Sequence, residues 1–271
     1  SKDGRDMTLL SFHDFGIGFR RYSGLLSMRE VPVVNGIGFS VRRGEAVALI
    51  GASGGGKSLI AHALFGVLPP NACTSGTIRF EGRVVDEWSR PALLGRRMAL
   101  MPQSVSHLDP MARCINQLRW AARRAGAPAD DARLAATLAQ FGLGAEAGNA
   151  FPHQLSGGMA RRMLMAIATI GDPDLIVADE PTSGLDDDNA DIVLARLRKL
   201  AGDGKGVLLV THSLASALAY ADRVCLIRDG RLEGEEDAAG FSGGGGGLHT
   251  AYARALWQAL PQNAFRGGDH A

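Results

Sequence analysis

Between residues 51 and 58 the chain reads Gly51-Ala52-Ser53-Gly54-Gly55-Gly56-Lys57-Ser58, an instance of G-x-x-x-x-G-K-[ST]. Glycines at this density let successive backbone N–H groups curl toward an anion. The apolar run Ala46 to Ile50 precedes the loop and a helix-like stretch, Leu59 to Phe65, follows it, so the positive end of a helix is expected at the same spot. In such a loop Lys57 reaches the outer phosphates of a nucleoside triphosphate and Ser58 the magnesium, with Gly51, Ser53, Gly54, Gly55, Gly56 and Leu59 as further contacts. The alternative, a glycine-rich surface loop, lacks a reason for the strand before it and the helix after it.

Two more segments carry chemistry. Leu175-Ile176-Val177-Ala178-Asp179-Glu180 is an apolar strand that delivers two carboxylates at its C-terminal end, where open α/β sheets place ligands. Asp179 can hold magnesium through water, and Glu180 can deprotonate the water that attacks a terminal phosphorus. The competing reading is an acidic turn that only stops a strand. His212 ends the next apolar run, a matching position from which it can contact the terminal phosphate, although a histidine there can equally be structural. In Leu155-Ser156-Gly157-Gly158-Met159, Ser156 is a helix N-cap candidate before a helix running through Ile170, a second anion-binding helix terminus.

The elements needed to position these groups are legible in outline. Of 271 residues, 46% are hydrophobic and 21% charged, enough to bury a large core in one globular unit or two closely joined ones. A formal net charge of +1 gives no general attraction to nucleic acid or anionic lipid. Cys73, Cys114 and Cys225 are too scattered for a disulfide framework or a metal knuckle, and read as reduced thiols. No apolar run approaches the roughly 18 residues that span a bilayer, and no signal segment opens the chain, so a cytoplasmic protein, peripheral to a membrane at most, is expected. The polar opening Ser1 to Asp6 reads as separate from the fold.

A β-rich opening is expected at Leu9–Phe12, Gly38–Val41, Ala46–Ile50 and Thr77–Phe80, with Met98–Met101 a further short strand. Helices follow at Gln117–Arg124 and Asp131–Phe141. Leu175–Ala178, Val207–Val210 and Val224–Ile227 are unbroken apolar runs, the pattern of parallel strands buried on both faces, with helices at Asn189–Ala201 and Leu214–Tyr220 between them. The glycine run Gly243 to Gly247 reads as a mobile linker or a tight loop before an amphipathic tail, His249 to Leu260, ended by Pro261.

The nucleotide loop, Gln103, LSGGM, LIVADE, Ser183-Gly184-Leu185-Asp186 and His212 occur in an order that resembles the ATP-binding cassette (ABC) transporter ATPases, over roughly Leu9 to Gly230. The resemblance implies an α/β fold of the P-loop NTPase class, ABC type: a mixed, largely parallel sheet core, an antiparallel β subdomain and an α-helical subdomain. It implies an ABC nucleotide-binding domain over 7–240, its helical part at about 104–171, with 241–271 as glycine linker and helical tail. Substrate and cofactor would be ATP and magnesium. Two subunits, identical or not, would pair head to tail, so that Ser156, Gly157 and Gly158 of one close over the nucleotide in the other. Gln103 matches the glutamine that touches magnesium in the loop responding to the membrane subunits, Asp179 the magnesium aspartate, Glu180 the general base, His212 the switch histidine and Asp186 the aspartate that communicates across the dimer. Phe19 is the expected adenine-stacking residue, with Tyr22 as the alternative and packing on the β portion as the bland reading of both.

The helix after the signature departs from the pattern: Arg161 stands where relatives often carry glutamine, and Asp187-Asp188-Asn189 is unusually acidic, as a helix N-terminus favours. His249 to Leu256 with Pro261 is similar to the H-P-Y-T-R-x-L segment of oligopeptide, dipeptide and nickel importer ATPases, with Ala251 in place of the proline; an ordinary packing helix is the plainer reading. That likeness implies an ATPase on the cytoplasmic face of the inner membrane that powers import of peptide, nickel or a related solute. It would work with two permeases docked near Ile115 to Gly142 and, indirectly, an external solute-binding protein. The other expectations are a soluble ABC ATPase of translation or DNA repair and a non-catalytic ATP-binding module. The absence of a second cassette counts against the first, and the presence of Glu180 and His212 against the second.

Overall fold

The computed structural model describes residues 7–22, 28–52, 54–242 and 245–260. Its strands form two sheets. Strands β1 (Thr8–Tyr22), β2 (Met28–Arg42), β4 (Ala72–Phe80) and β5 (Arg83–Val84) make an antiparallel sheet in the order β2-β1-β4-β5. Strands β3 (Ala46–Gly51), β6 (Met98–Met101), β7 (Leu175–Asp179), β8 (Gly206–Thr211), β9 (Arg223–Arg228) and β10 (Arg231–Asp237) make the second, in the order β10-β9-β3-β8-β7-β6, parallel throughout except for the edge strand β10.

Two expectations are corrected here. Ala46 to Ile50 does not join the opening strands; as β3 it lies inside the parallel sheet, because a run with no polar alternation needs cover on both faces. The short strands expected at Leu9–Phe12 and Gly38–Val41 are ends of β1 and β2, each 15 residues long. Register shifts between Phe12 and Phe15, where Asp14 has a positive φ of 46°, interrupt the alternation and hide the continuity.

The parallel sheet sorts its side chains by parity. Ala46, Ala48, Ile50, Ile176, Ala178, Val207 and Leu209 face the core built with the helices, whereas Val47, Leu49, Leu175, Val177, Leu208 and Val210 face the core shared with β1 and β2. The first helix, α1 (Lys57–Phe65), lies on the latter side through Ile60, Ala61 and Leu64. After the short α2 (Arg90–Leu93), the expected helical region appears as α3 (Cys114–Ala125), α4 (Asp131–Gln140), α5 (Ala145–Asn149) and α6 (Gly157–Thr169), joined through Leu118, Leu134, Leu138 and Met163. Next come α7 (Asp187–Gly202) and α8 (Leu214–Leu218), the latter two residues shorter than expected.

The two sheets are tied at the N-terminal ends of the parallel strands. Arg43 and Arg97 both pair with Asp174 and Glu81, with Arg43 Nη1 at 2.7 Å from Asp174 Oδ1. Burial pushes the pKa of Asp174 up, but hydrogen bonds from the two guanidinium groups outweigh it and hold the carboxyl below its ordinary value. This polar network sits away from the opposite strand ends, where the candidate site lies.

The tail helix α9 (Ala251–Ala259) is docked, not free. Glu236 of β10, 1% exposed, accepts from the backbone N–H of His249 and of Thr250 (2.7 Å) and from His249 Nδ1 (2.9 Å). Thr250 caps the helix through the Ala253 N–H. Of the glycine run, Gly243 and Gly244 lie outside the described residues, as do Ser1 to Asp6 and Pro261. The described part is a packed turn instead of a spacer: Gly245, with φ +70°, lies so close to the Trp257 indole that a Cβ would come within 2.8 Å of it, and its carbonyl accepts from the Leu248 N–H.

Candidate nucleotide site

Four parallel strands end at one cleft. The loop after β3 leads into α1, Gln103 follows β6, Asp179 and Glu180 end β7, and Thr211 and His212 end β8. A cavity of about 260 Å³ there is lined by Gly54, Gly56, Lys57, Ser58, Leu59, Gln103 and Glu180. The parallel order makes this convergence unavoidable, since all four strands run the same way.

The loop geometry requires glycine where it counts. Gly56 is the N-cap of α1 with φ +86°, and a Cβ on it would come within 2.6 Å of Val34 Cγ2. Ser53 lies outside the described residues. Lys57 is buried, its ammonium donating to the Gly51 and Ala52 carbonyls at 2.8 Å each. Burial lowers its pKa, with the charges of Glu180 and Asp179 opposing the shift.

Ser58 Oγ donates to Asp179 Oδ1 at 2.9 Å, so two of the three expected magnesium-site groups are in direct contact. Asp179 is 1% exposed; burial pushes its pKa up, against the Ser58 hydrogen bond and the nearby charge of His62, whose Nε2 is 3.7 Å from Oδ2. A desolvated carboxylate beside a hydroxyl and a buried ammonium under an N-terminal helix end fit a triphosphate with its divalent cation.

Glu180 occupies the left-handed region, φ 44°, an uncommon conformation for a glutamate and a form of strain that collects at functional sites. Its carboxylate accepts from His212 Nδ1, which is 2.9 Å from both oxygens, and from Thr211 Oγ1 at 3.3 Å. The sequence reading placed Glu180 and His212 separately around a phosphate; the structure joins them directly.

The signature segment stands apart from this cleft. Ser156 caps α6, its Oγ accepting from the Met159 N–H at 3.2 Å, and both Ser156 and Gly157 are exposed. Gly158 is buried against α7: a Cβ there would meet Asn189 Oδ1 at 2.3 Å. Asn189 Nδ2 in turn donates to Asp186, the N-cap of α7, and the hydrogen bond from the Asn189 backbone keeps the Asp186 carboxyl below its ordinary pKa. Asp187 and Asp188 fill the first turn, where negative charge complements the helix dipole.

Phe19 is half-buried in β1 against the core beneath the antiparallel sheet and does not line the cavity; the side chain of Tyr22 lies outside the described residues. His62 and Thr211 went unremarked as site residues. The i, i+4 spacing of Ser58 and His62 on one helix was the available signal for the first, and adjacency to His212 for the second.

Against known proteins, a family model described as "ABC transporter" matches residues 34–183. The chain is 39% identical over 200 residues to the Nod factor export ATP-binding protein I of Burkholderia orbicola, covering 73% of this chain and 64% of that one. It is 38% identical over 205 residues to the hemin import ATP-binding protein HmuV of Streptomyces coelicolor, covering 74% and 71%. The likeness to these relatives is thus not specific to peptide or nickel importers. A solved ATP-binding subunit of an ABC transporter superposes with TM-score 0.71 at 28% identity, covering 93% of this chain and all of that one. A dimeric ATP-binding cassette, MJ0796, bound to ADP and Pi matches with TM-score 0.73 at 23% identity over 85% of this chain and 99% of that one, a likeness of fold. By its fold, by the family match over more than half its length and by these relatives, the chain belongs to the ABC transporter family.

Proposed function

We propose that this chain is the ATP-hydrolysing subunit of a membrane transporter. The observation that carries the proposal is Glu180: a carboxylate in a strained turn, on the wall of the same cavity as Lys57 and Ser58, with His212 and Thr211 fixing its orientation.

Lys57 exchanges its two carbonyl acceptors for outer phosphate oxygens, and the loop N–H groups up to the start of α1 take the rest of the phosphate charge. Ser58, Asp179 and Gln103 would hold magnesium, which would supply positive charge to offset that of the phosphate oxygens. Glu180 takes a proton from water as the oxygen attacks the terminal phosphorus and the bond to the ADP oxygen breaks; His212 Nδ1 keeps the carboxylate turned toward that water. Gly51, Ser53, Gly54, Gly55, Gly56 and Leu59 complete the phosphate grip, and Phe19 or Tyr22 the adenine contact.

The exposed Ser156 and Gly157, outside the cleft of their own chain, support a partner arrangement in which this segment closes over the nucleotide of a second ABC subunit. Residues 7–240 form the nucleotide-binding domain, with the helical part at about 104–171 as the side facing two permeases, and 241–271 form the tail. A groove lined by Pro102, His107, Trp120 and Leu164 joins the Gln103 loop to the helical part and suits a permease helix. The subunit sits at the cytoplasmic face of the inner membrane. The finer reading, an importer of peptide, nickel or a related solute, rests on the likeness of the tail segment His249 to Leu256, and of Lys57 to Ala63 and Gln103 to Pro110, to that group.

The test is to purify the chain with a tag from its own membranes and assay phosphate release from ATP with and without magnesium. Magnesium-dependent release with two co-purifying permeases is expected. Recovery of ribosomal or repair proteins without permeases would overturn the transport reading, and no release from the recovered complex the enzymatic one.

A further inference from the structure

Arg161 is 5% exposed, and among the described residues it makes no ion pair. Burying a guanidinium without a carboxylate is costly unless its donors are used well. Here they are used on two separate loops. Nη1 donates to the Pro102 carbonyl at 3.2 Å and Nη2 to the Ser183 carbonyl at 3.0 Å. The first carbonyl belongs to the peptide plane whose nitrogen is that of Gln103; the second opens the Ser183-Gly184-Leu185-Asp186 turn. Arg161 itself lies on α6, one turn after Gly157 and Gly158. On the same helix end Gly158 abuts Asn189, which is bonded to Asp186, so the signature helix meets the Asp186 turn at two points.

We propose that Arg161 is a positioning residue that locks the Gln103 peptide and the Ser183 to Asp186 turn to the signature helix, so that the three segments move as one body when the nucleotide site closes. The proposal rests on the ATPase reading but concerns a residue that does not line the nucleotide cavity. Here two different nitrogens of one rigid guanidinium serve the two carbonyls; lysine or glutamine would have to reach both from one nitrogen, without the fixed fork that holds the two loops at a set spacing.

The test compares the full chain with Arg161→Gln and Arg161→Lys, by steady-state ATPase kinetics and by amide hydrogen exchange. Both variants should lose about fivefold or more in kcat with KM for ATP within about twofold, the signature of an interaction that matters after binding. Amides of 103–108 and 184–187 should exchange about tenfold faster, while those of β3, β7 and β8 stay as in the parent. Unchanged loop exchange in a folded variant would overturn the proposal. So would a loss of protection spread over the whole chain, or variants that fail to fold, because Arg161 would then be a general core strut. The exchange readout does not need turnover: if the parent chain hydrolysed no ATP, the ATPase reading would fall while the positioning role was still judged.

Discussion

At the scale of single residues, the site is a set of groups held in states they would not choose in water. Gly56 holds a left-handed turn, Lys57 and Asp179 are buried ions, and Glu180 sits at positive φ. Each cost is local, and each is offset by a neighbour that the strand ends bring close. Gly56→Ala tests this. The added methyl meets Val34 and a backbone angle it cannot relax, a cost of about 1–3 kcal/mol. We expect a lower melting temperature and at least about tenfold weaker ATP binding by nucleotide titration; unchanged affinity would show that the loop is not the phosphate grip. Residue types and spacing made Lys57, Ser58, Asp179 and Glu180 legible in advance, because each sits in a short motif. The contact of His212 with Glu180 was not legible, since it depends on how two strand ends are staggered. Nor was Arg161, whose partners are backbone carbonyls that every residue carries.

Among the elements, the parallel strands were readable as apolar runs and the helices by their periodicity. The long strands β1 and β2 were not, because bulges break the period. The tail was readable as a helix but not as a docked one, for its anchor is Glu236, a single buried acid in an otherwise alternating edge strand. Burial raises the Glu236 pKa, yet the backbone N–H groups of His249 and Thr250 and the His249 side chain outweigh it and hold the carboxyl below its ordinary 4.5. A depressed carboxylate contributes stability that is present above the ordinary value and is lost as pH falls through the lowered one. Tail docking should therefore persist at neutral pH and weaken only in the acid range below 4.5. Glu236→Gln removes the charge without removing volume and should loosen α9 by about 2–3 kcal/mol. Protease cleavage near Gly246 reads this out: it should accelerate in the variant at neutral pH, and equal cleavage of both proteins would mean that apolar packing alone holds the tail.

At the scale of the whole molecule, the cleft and the exposed end of the signature helix are kept apart within the one chain. The cleft gathers the outputs of β3, β6, β7 and β8, while Ser156 and Gly157 stay exposed at the end of α6. On the proposed reading, a second subunit would complete a closed, ATP-bound state, and hydrolysis would remove the ligand that favours closure. The fold class and the order of motifs were legible in the sequence, because each motif is short and sits at a strand end or helix start. The most direct measurement is ATP binding and single-turnover hydrolysis, side by side, for the parent chain and Glu180→Gln. Binding should be retained within about threefold and hydrolysis should fall by about a hundredfold or more, with ATP trapping the variant as a dimer. Hydrolysis at the parental rate in Glu180→Gln would contradict the central claim that this carboxylate activates the attacking water.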